Sequence, residues 1–304
     1  MNTETAAAEV EVVKTGGVEM PQHGHAGVLR QISSEWTKLR SLRSTWICLL
    51  IIVVAGIGLS VLLTSVEASH WASLGSADRA RFDPVAFSQV GIALSEFVVG
   101  VLAALVVCGE YSSGTISSTL TAVPRRATVL AAKALVIGSL ILVLSEIVGF
   151  ISFFLCRAVL LGHGAVSNAH SSIIGQALSM HPPVSSLSDP GVLLAVALGG
   201  VFLTLLALCV IGLGFIVRST AGTIALFVGV LLVLPIITSL LPSSITGSVK
   251  AYLPSALGTT MTSTIHTSTF SGTLLSPWAA TAWMALYAAV LLVASWVRLV
   301  RSDA

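Results

Sequence analysis

The sequence predicts a bundle of membrane-spanning helices, and three observations carry that expectation. Its 304 residues are 55% hydrophobic and only 9% charged, with a mean hydropathy of +0.97, whereas a soluble domain averages about 25% charged residues. Six apolar runs follow one another, each near the ~20 residues that cross a bilayer as a helix. None alternates in the manner of a barrel strand, and in lipid only helices or closed barrels satisfy every backbone polar group. The expected fold class is all-α integral membrane, with six transmembrane helices, an N-terminal interfacial amphipathic helix and a short cytoplasmic helix between the second and third spans. A net charge of +2 argues against nucleic acid as a partner.

In chain order, residues 1–27 are polar and small and hold too few apolar groups for a core, so they read as a disordered cytoplasmic tail. Val28 to Ser44 follows with Leu29, Ile32, Trp36, Leu39 and Leu42 on one helical stripe. Lys38 and Arg30 point away from that stripe, Arg40 lies at its flank, and Arg43 snorkels. A basic amphipathic helix with a tryptophan on its apolar side suits the bilayer interface. The domain from 28 to 304 then crosses the membrane at about 46–66, 86–108, 133–156, 192–217, 222–241 and 278–297.

Basic residues orient the bundle. With both ends inside, ten Lys and Arg near the spans fall on the cytoplasmic side and four on the outer side, the bias expected of a multi-pass protein of the cell membrane. Outer residues 67–85 carry Asp78, Arg79, Arg81 and Asp83 and read as a solvated connector. Ala251 to Met261 reads as a short helix dipping back toward the membrane.

Residues 109–133, GEYSSGTISSTLTAVPRRATVLAAK, form the longest polar interruption with a cluster of positive charge. Ile116, Leu120 and Val123 recur at helical spacing among small residues, which gives one apolar ridge suited to a partner's groove. Pro124 ends that helix, and Arg125 and Arg126 mark the return to the membrane.

Glu96 and Glu146 sit within spans, where ionisable groups mark a pathway or a partnered polar contact. Glu96 is the candidate pathway residue. The four cysteines lie in or beside apolar runs without paired metal-ligand spacing, and no metal site is expected. A G-x-x-x-x-G-K-[ST] loop is absent from the sequence, so this chain has no phosphate cradle of that kind. Neither H-E-x-x-H nor G-x-S-x-G occurs, and no enzymatic chemistry is assigned.

The lead-in SEWTKLRSLRSTW and the loop GEYSSGTISSTLTAVPRRATVLAAKAL resemble the membrane-spanning subunits of ABC transporters of the type-2 exporter class. The matching positions are Glu110, Tyr111, Gly114, Thr115, Ile116, Pro124, Arg126 and Lys133. The resemblance implies a permease without its own ATPase, paired with a second permease copy in a homodimer or heterodimer. It also implies two cytoplasmic ATPase subunits, which would hold the ATP and Mg, while this chain binds no cofactor. Residues 111–123 would be the coupling helix, with Ile116 and Leu120 as its docking ridge. Glu110 and Arg126 would fix the ends of the loop, Arg125 would count among its coupling residues, and the pathway would run between the second and fifth spans. Two other classes fit the residues: a secondary carrier driven by an ion gradient, with Glu96 and Glu146 as ion sites, and a non-transporting anchor for a soluble partner. The cargo stays open.

Overall fold

Twenty apolar residues in a row have one local way to satisfy their backbone in lipid, and each of the six runs takes it. The structure, a computed structural model, describes residues 28–114, 126–167, 175, 179–242, 249–264 and 275–301. For Val28, Leu29 and Arg126 it describes the backbone alone. The tail expected over 1–27 and residues 115–123 of the coupling helix expected over 111–123 lie outside these residues; Tyr111 and Ser112 belong to the end of the second span instead.

A first helix, α1 (Val28–Ser41), turns at Leu42 into α2 (Arg43–His70), the first span. Two short helices, α3 (Ser76–Arg81) and α4 (Pro84–Ser88), lead to α5 (Ile92–Ser112), the second span. The third and fourth spans are α6 (Arg126–Gly162) and α7 (Val192–Val217). The fifth is α8 (Thr220–Val228) joined through a π-helical turn, Gly229–Val233, to α9 (Leu234–Leu240). Helix α10 (Pro254–Thr262) precedes the sixth span, α11 (Pro277–Arg301). Six crossings put α1 and the end of α11 at the same end of the bundle, called here the near end.

Several boundaries differ from expectation, for local reasons. The second span starts at Ile92 rather than near residue 86, because the chain breaks at Gln89–Gly91. There Asp83 caps α4 by accepting from Val85 N at 2.9 Å and Ala86 N at 3.2 Å, while Gly91 N donates to Ser60 Oγ at 2.9 Å. A Cβ on Gly91 would overlap the Gly56 carbonyl, so only glycine lets the first and second spans cross this closely. The third span starts at Arg126 and runs 37 residues, about 55 Å. That exceeds the ~30 Å hydrocarbon core, so this helix projects beyond the membrane. Pro235 has no N–H and crowds the turn before it; the fifth span absorbs that with the wide turn at Gly229–Val233.

The fourth span is the centre. It packs against the second, third and sixth spans and has 61% of its apolar window buried, against 22% for the fifth and sixth. The outer spans present Trp46, Leu50, Val54, Leu232, Ile236, Val290 and Trp296 outward, as lipid requires. Cys48, Cys108 and Cys156 are buried and Cys209 is half-buried, all as free thiols.

The far end corrects one expectation. Residues 67–85 are folded rather than a plain solvated connector: of the four-charge cluster, Arg79 and Asp83 are buried while Asp78 and Arg81 are exposed. Arg79 donates to the carbonyls of Trp71 (3.1 Å), Ser179 (3.2 Å) and Ala72 (2.8 Å). Asp83 also accepts from Thr264 N at 2.7 Å, Thr264 Oγ1 at 2.9 Å and Ser263 Oγ at 3.1 Å, which ties the connector to the end of α10. Helix α10 forms as expected, with Leu257 and Met261 fully buried.

Close packing of the second and fifth spans depends on Gly100, where a Cβ would collide with the Phe227 ring. Gly100→Val therefore overpacks this seam at a cost of about 1–3 kcal/mol. In detergent its melting temperature should fall below that of Gly58→Val, since a Cβ on Gly58 meets open space; equal melting temperatures would contradict the seam.

Candidate functional site

At the near end, four charged side chains from three segments close into a ring. Glu35 and Lys38 stand one turn apart on α1, Glu110 ends the second span, and Lys133 lies in the second turn of the third. Lys133 Nζ donates to Glu35 Oε2 at 2.7 Å and to Glu110 Oε1 at 3.0 Å. Lys38 Nζ donates to Glu35 Oε1 and Glu110 Oε1, both at 2.9 Å. The Val106 carbonyl, 3.5 Å away, takes the third Lys133 hydrogen, so all three ammonium donors are used.

Burial makes the ring strict. The Lys133 and Glu35 side chains are 1% and 2% exposed, Glu110 12% and Lys38 42%. Two carboxylates and two ammoniums cancel in charge, which is what lets such groups leave water. Burial pushes the Glu35 carboxyl up, but the Lys133 charge and hydrogen bond, with those of Lys38, outweigh it and hold Glu35 below its ordinary 4.5. Burial likewise pushes Lys38 down, and its hydrogen bonds to Glu110 and Glu35 bring it above its ordinary 10.5.

The ring corrects the reading of α1. Its buried face is Gln31, Glu35 and Leu39, while Trp36 and Leu42 are 42% and 43% exposed. Lys38 does not point away but turns inward to Glu110. Polar partners on the second and third spans draw Glu35 into the bundle and so rotate the helix relative to its apolar stripe. Arg40 and Arg43 are exposed.

A second clamp holds the same end of the second span from the opposite side. The Tyr111 ring meets Phe215 edge-on at 6.1 Å, and the Arg218 guanidinium lies 5.6 Å from its centre. Arg218 ends the fourth span at φ 59°, a left-handed conformation costly for a side-chain-bearing residue, with its N–H on the Gly214 carbonyl at 2.8 Å. One turn below, Cys108 Sγ sits 3.4 Å from Thr223 Oγ1. The span then stops at Gly114, whose φ of 70° suits only glycine comfortably.

Of the residues expected at this site, Lys38 and Glu110 meet in the ring, Tyr111 forms the second clamp, Leu39 is buried in the core and Gly114 is exposed just past the end of the second span. Thr115, Ile116, Leu120, Pro124 and Arg125 lie outside the described residues, and Arg126 begins α6. Glu96 sits elsewhere, in the second span, 8% exposed and without a hydrogen-bond or ion-pair partner among the described residues. The sequence pattern singles out neither Glu35 nor Arg218, which enters only as one of the ten basic residues assigned to the cytoplasmic side. The Glu35/Lys38 spacing (i, i+3) in a basic stretch was the available signal.

Removing one partner strands the others. Lys133→Met should cost about 3–5 kcal/mol, read as a large fall in melting temperature in detergent, while Lys38→Ala should cost ~1 kcal/mol or less because it is half in water. The pH dependence follows from signs. The folded carboxyl of Glu35 lies below its ordinary value, so its contribution is complete above pH 4.5 and lost as pH falls through the lower folded value. Lys38 is raised, so its contribution is complete below pH 10.5 and lost above it. The stability gap between wild type and Glu35→Gln should stay level from about pH 5 to 9 and close on further acidification; a gap that varies across that plateau would contradict the ring.

Residues 31–181 match the family model described as ABC-2 family transporter protein. No curated protein matches the sequence at a significant level. Permeases of that family sit in the membrane, generally pair with an ABC ATPase, and are generally not catalytic themselves. The match covers α1, the first three spans and every residue of the charged ring. With six apolar helices of spanning length around it, this multi-pass chain belongs to the ABC-2 family as the permease subunit of an ABC transporter.

Proposed function

We propose that this permease works in an ATP-driven exporter of the cell membrane, with its near end and both termini in the cytoplasm. Two such permeases pair, and two cytoplasmic ATPases bind the ATP and Mg²⁺ and dock on residues 109–133. The observation that carries this reading is the charged ring, which binds α1, the end of the second span and the start of the third into one unit. Residues 115–125 connect two arms of that unit, so a partner seated on them pushes on α1 and both spans together.

Work enters only if nucleotide-bound and nucleotide-free ATPase favour different arrangements of the bundle. The Tyr111–Arg218 clamp gives the displacement a second route, into the corner between the fourth and fifth spans. Glu96 lies on the second span facing that moving seam, which makes it the candidate pathway residue.

The test is copurification and ATP-driven transport with the ATPase. Ile116→Asp should abolish ATPase copurification while membrane insertion stays intact. Lys133→Gln should retain docking but lower transport per ATP hydrolysed at least fivefold, a coupling loss of about 1 kcal/mol. Copurification unchanged by Ile116→Asp would remove the docking ridge, and full transport by Lys133→Gln would remove the ring from coupling.

A further inference from the structure

At the seam between the second and fifth spans Phe227 packs on Gly100, and one turn along the second span stands a buried carboxylate, Glu96. Along the second span, Tyr111, Cys108, Gly100 and Glu96 fall on one helical face. Each of the first three meets the fourth–fifth corner or the fifth span: Tyr111 meets Arg218, Cys108 meets Thr223, and Phe227 covers Gly100. Glu96, one turn beyond Gly100, continues that face. It lies about 21 Å along the helix from Glu110, well inside the bilayer. Its side chain is more than nine-tenths buried and has no hydrogen-bond or ion-pair partner among the described residues.

A carboxylate in such a place needs either a proton or a positive ligand. The Lys and Arg residues of the spans lie toward their ends: Arg43, Lys133, Arg157, Arg298 and Arg301. The interior thus offers acid and no base, and an anionic cargo would meet repulsion there. Phe227, buried against Gly100, which lies one helical turn from Glu96 along the second span, adds an aromatic ring of the kind that attracts organic cations. The fifth span bends beside this seam, at Gly229–Val233 before Pro235, where helices hinge most readily.

We propose that the cargo class is a lipophilic organic cation, with Glu96 as the binding carboxylate and Phe227 as its aromatic partner. This rests on the permease reading and narrows it. Opening of the fifth span at its π-helical turn exposes Glu96 to the cargo, whose charge then supplies a partner that none of the described residues provides.

The probe is radiolabelled tetraphenylphosphonium, bound to the purified full-length chain together with whatever ATPase copurifies. Wild type should bind it saturably, Glu96→Gln at least tenfold more weakly, and Glu146→Gln within twofold of wild type, with tetraphenylborate failing to compete. Equal binding by Glu96→Gln, absence of saturable binding, or equal competition by the anion would overturn the proposal. Should Glu96→Gln fail to fold, wild type still decides. Carbodiimide labelling of Glu96, followed by mass spectrometry, should slow when tetraphenylphosphonium is added, and labelling that the cation leaves unchanged overturns the site. Copurification of the ATPase with wild type is scored separately, so its loss counts against the permease reading and a lack of cation binding counts against the cargo class.

Discussion

A ring of four charges, two of them almost wholly buried, constrains the near end of this bundle. A buried ion pair contributes little net stability compared with apolar packing, but breaking it by one partner is costly. Such a ring therefore selects an arrangement more than it strengthens one. Glu35 and Lys38 turn toward Glu110 and Lys133, and Lys133, 1% exposed, has its three donors on Glu35, Glu110 and the Val106 carbonyl. The interfacial helix, the second span and the third span accordingly keep one relative position.

The far end is held by different means. Arg79 and Asp83 spend their charge on backbone groups, capping a short helix and tying the first connector to α10 and Ser179. Between the two ends the interior relies on small residues. Gly56 against Gly91 and Gly100 under Phe227 let backbones and rings approach where lipid supplies no hydrophobic drive for association. The one irregular span, the fifth, is also among the least buried, and its Phe227 packs on Gly100 of the second span.

Much of the fold was legible because apolar length and basic flanks are local signals. The six spans, α10 and the presence of a helix before the first span follow from runs and periodicity, while the facing of that lead-in helix was overruled by its neighbours. The site was less legible. Hydrophobic stripe counting placed Lys38 outward and ignored Glu35, since pairing across 98 residues, as between Glu35 and Lys133, leaves no periodic trace. The connector with Arg79 and Asp83 looked solvated because charge alone does not show whether backbone carbonyls or a cap await it. Pro235 announced a kink, but the π-helical turn before it depends on how the fifth span settles against the second.

The central claim is that α1 and the third span move as one piece when the partner changes state. Spin labels at Thr37 and Ala131, both exposed, report the distance inside that piece, and labels at Ala131 and Leu226 report its distance to the fifth span. In the reconstituted complex with its ATPase, adding nucleotide should leave the first distance unchanged and shift the second. A first distance that changes with nucleotide while the second stays fixed would contradict the account.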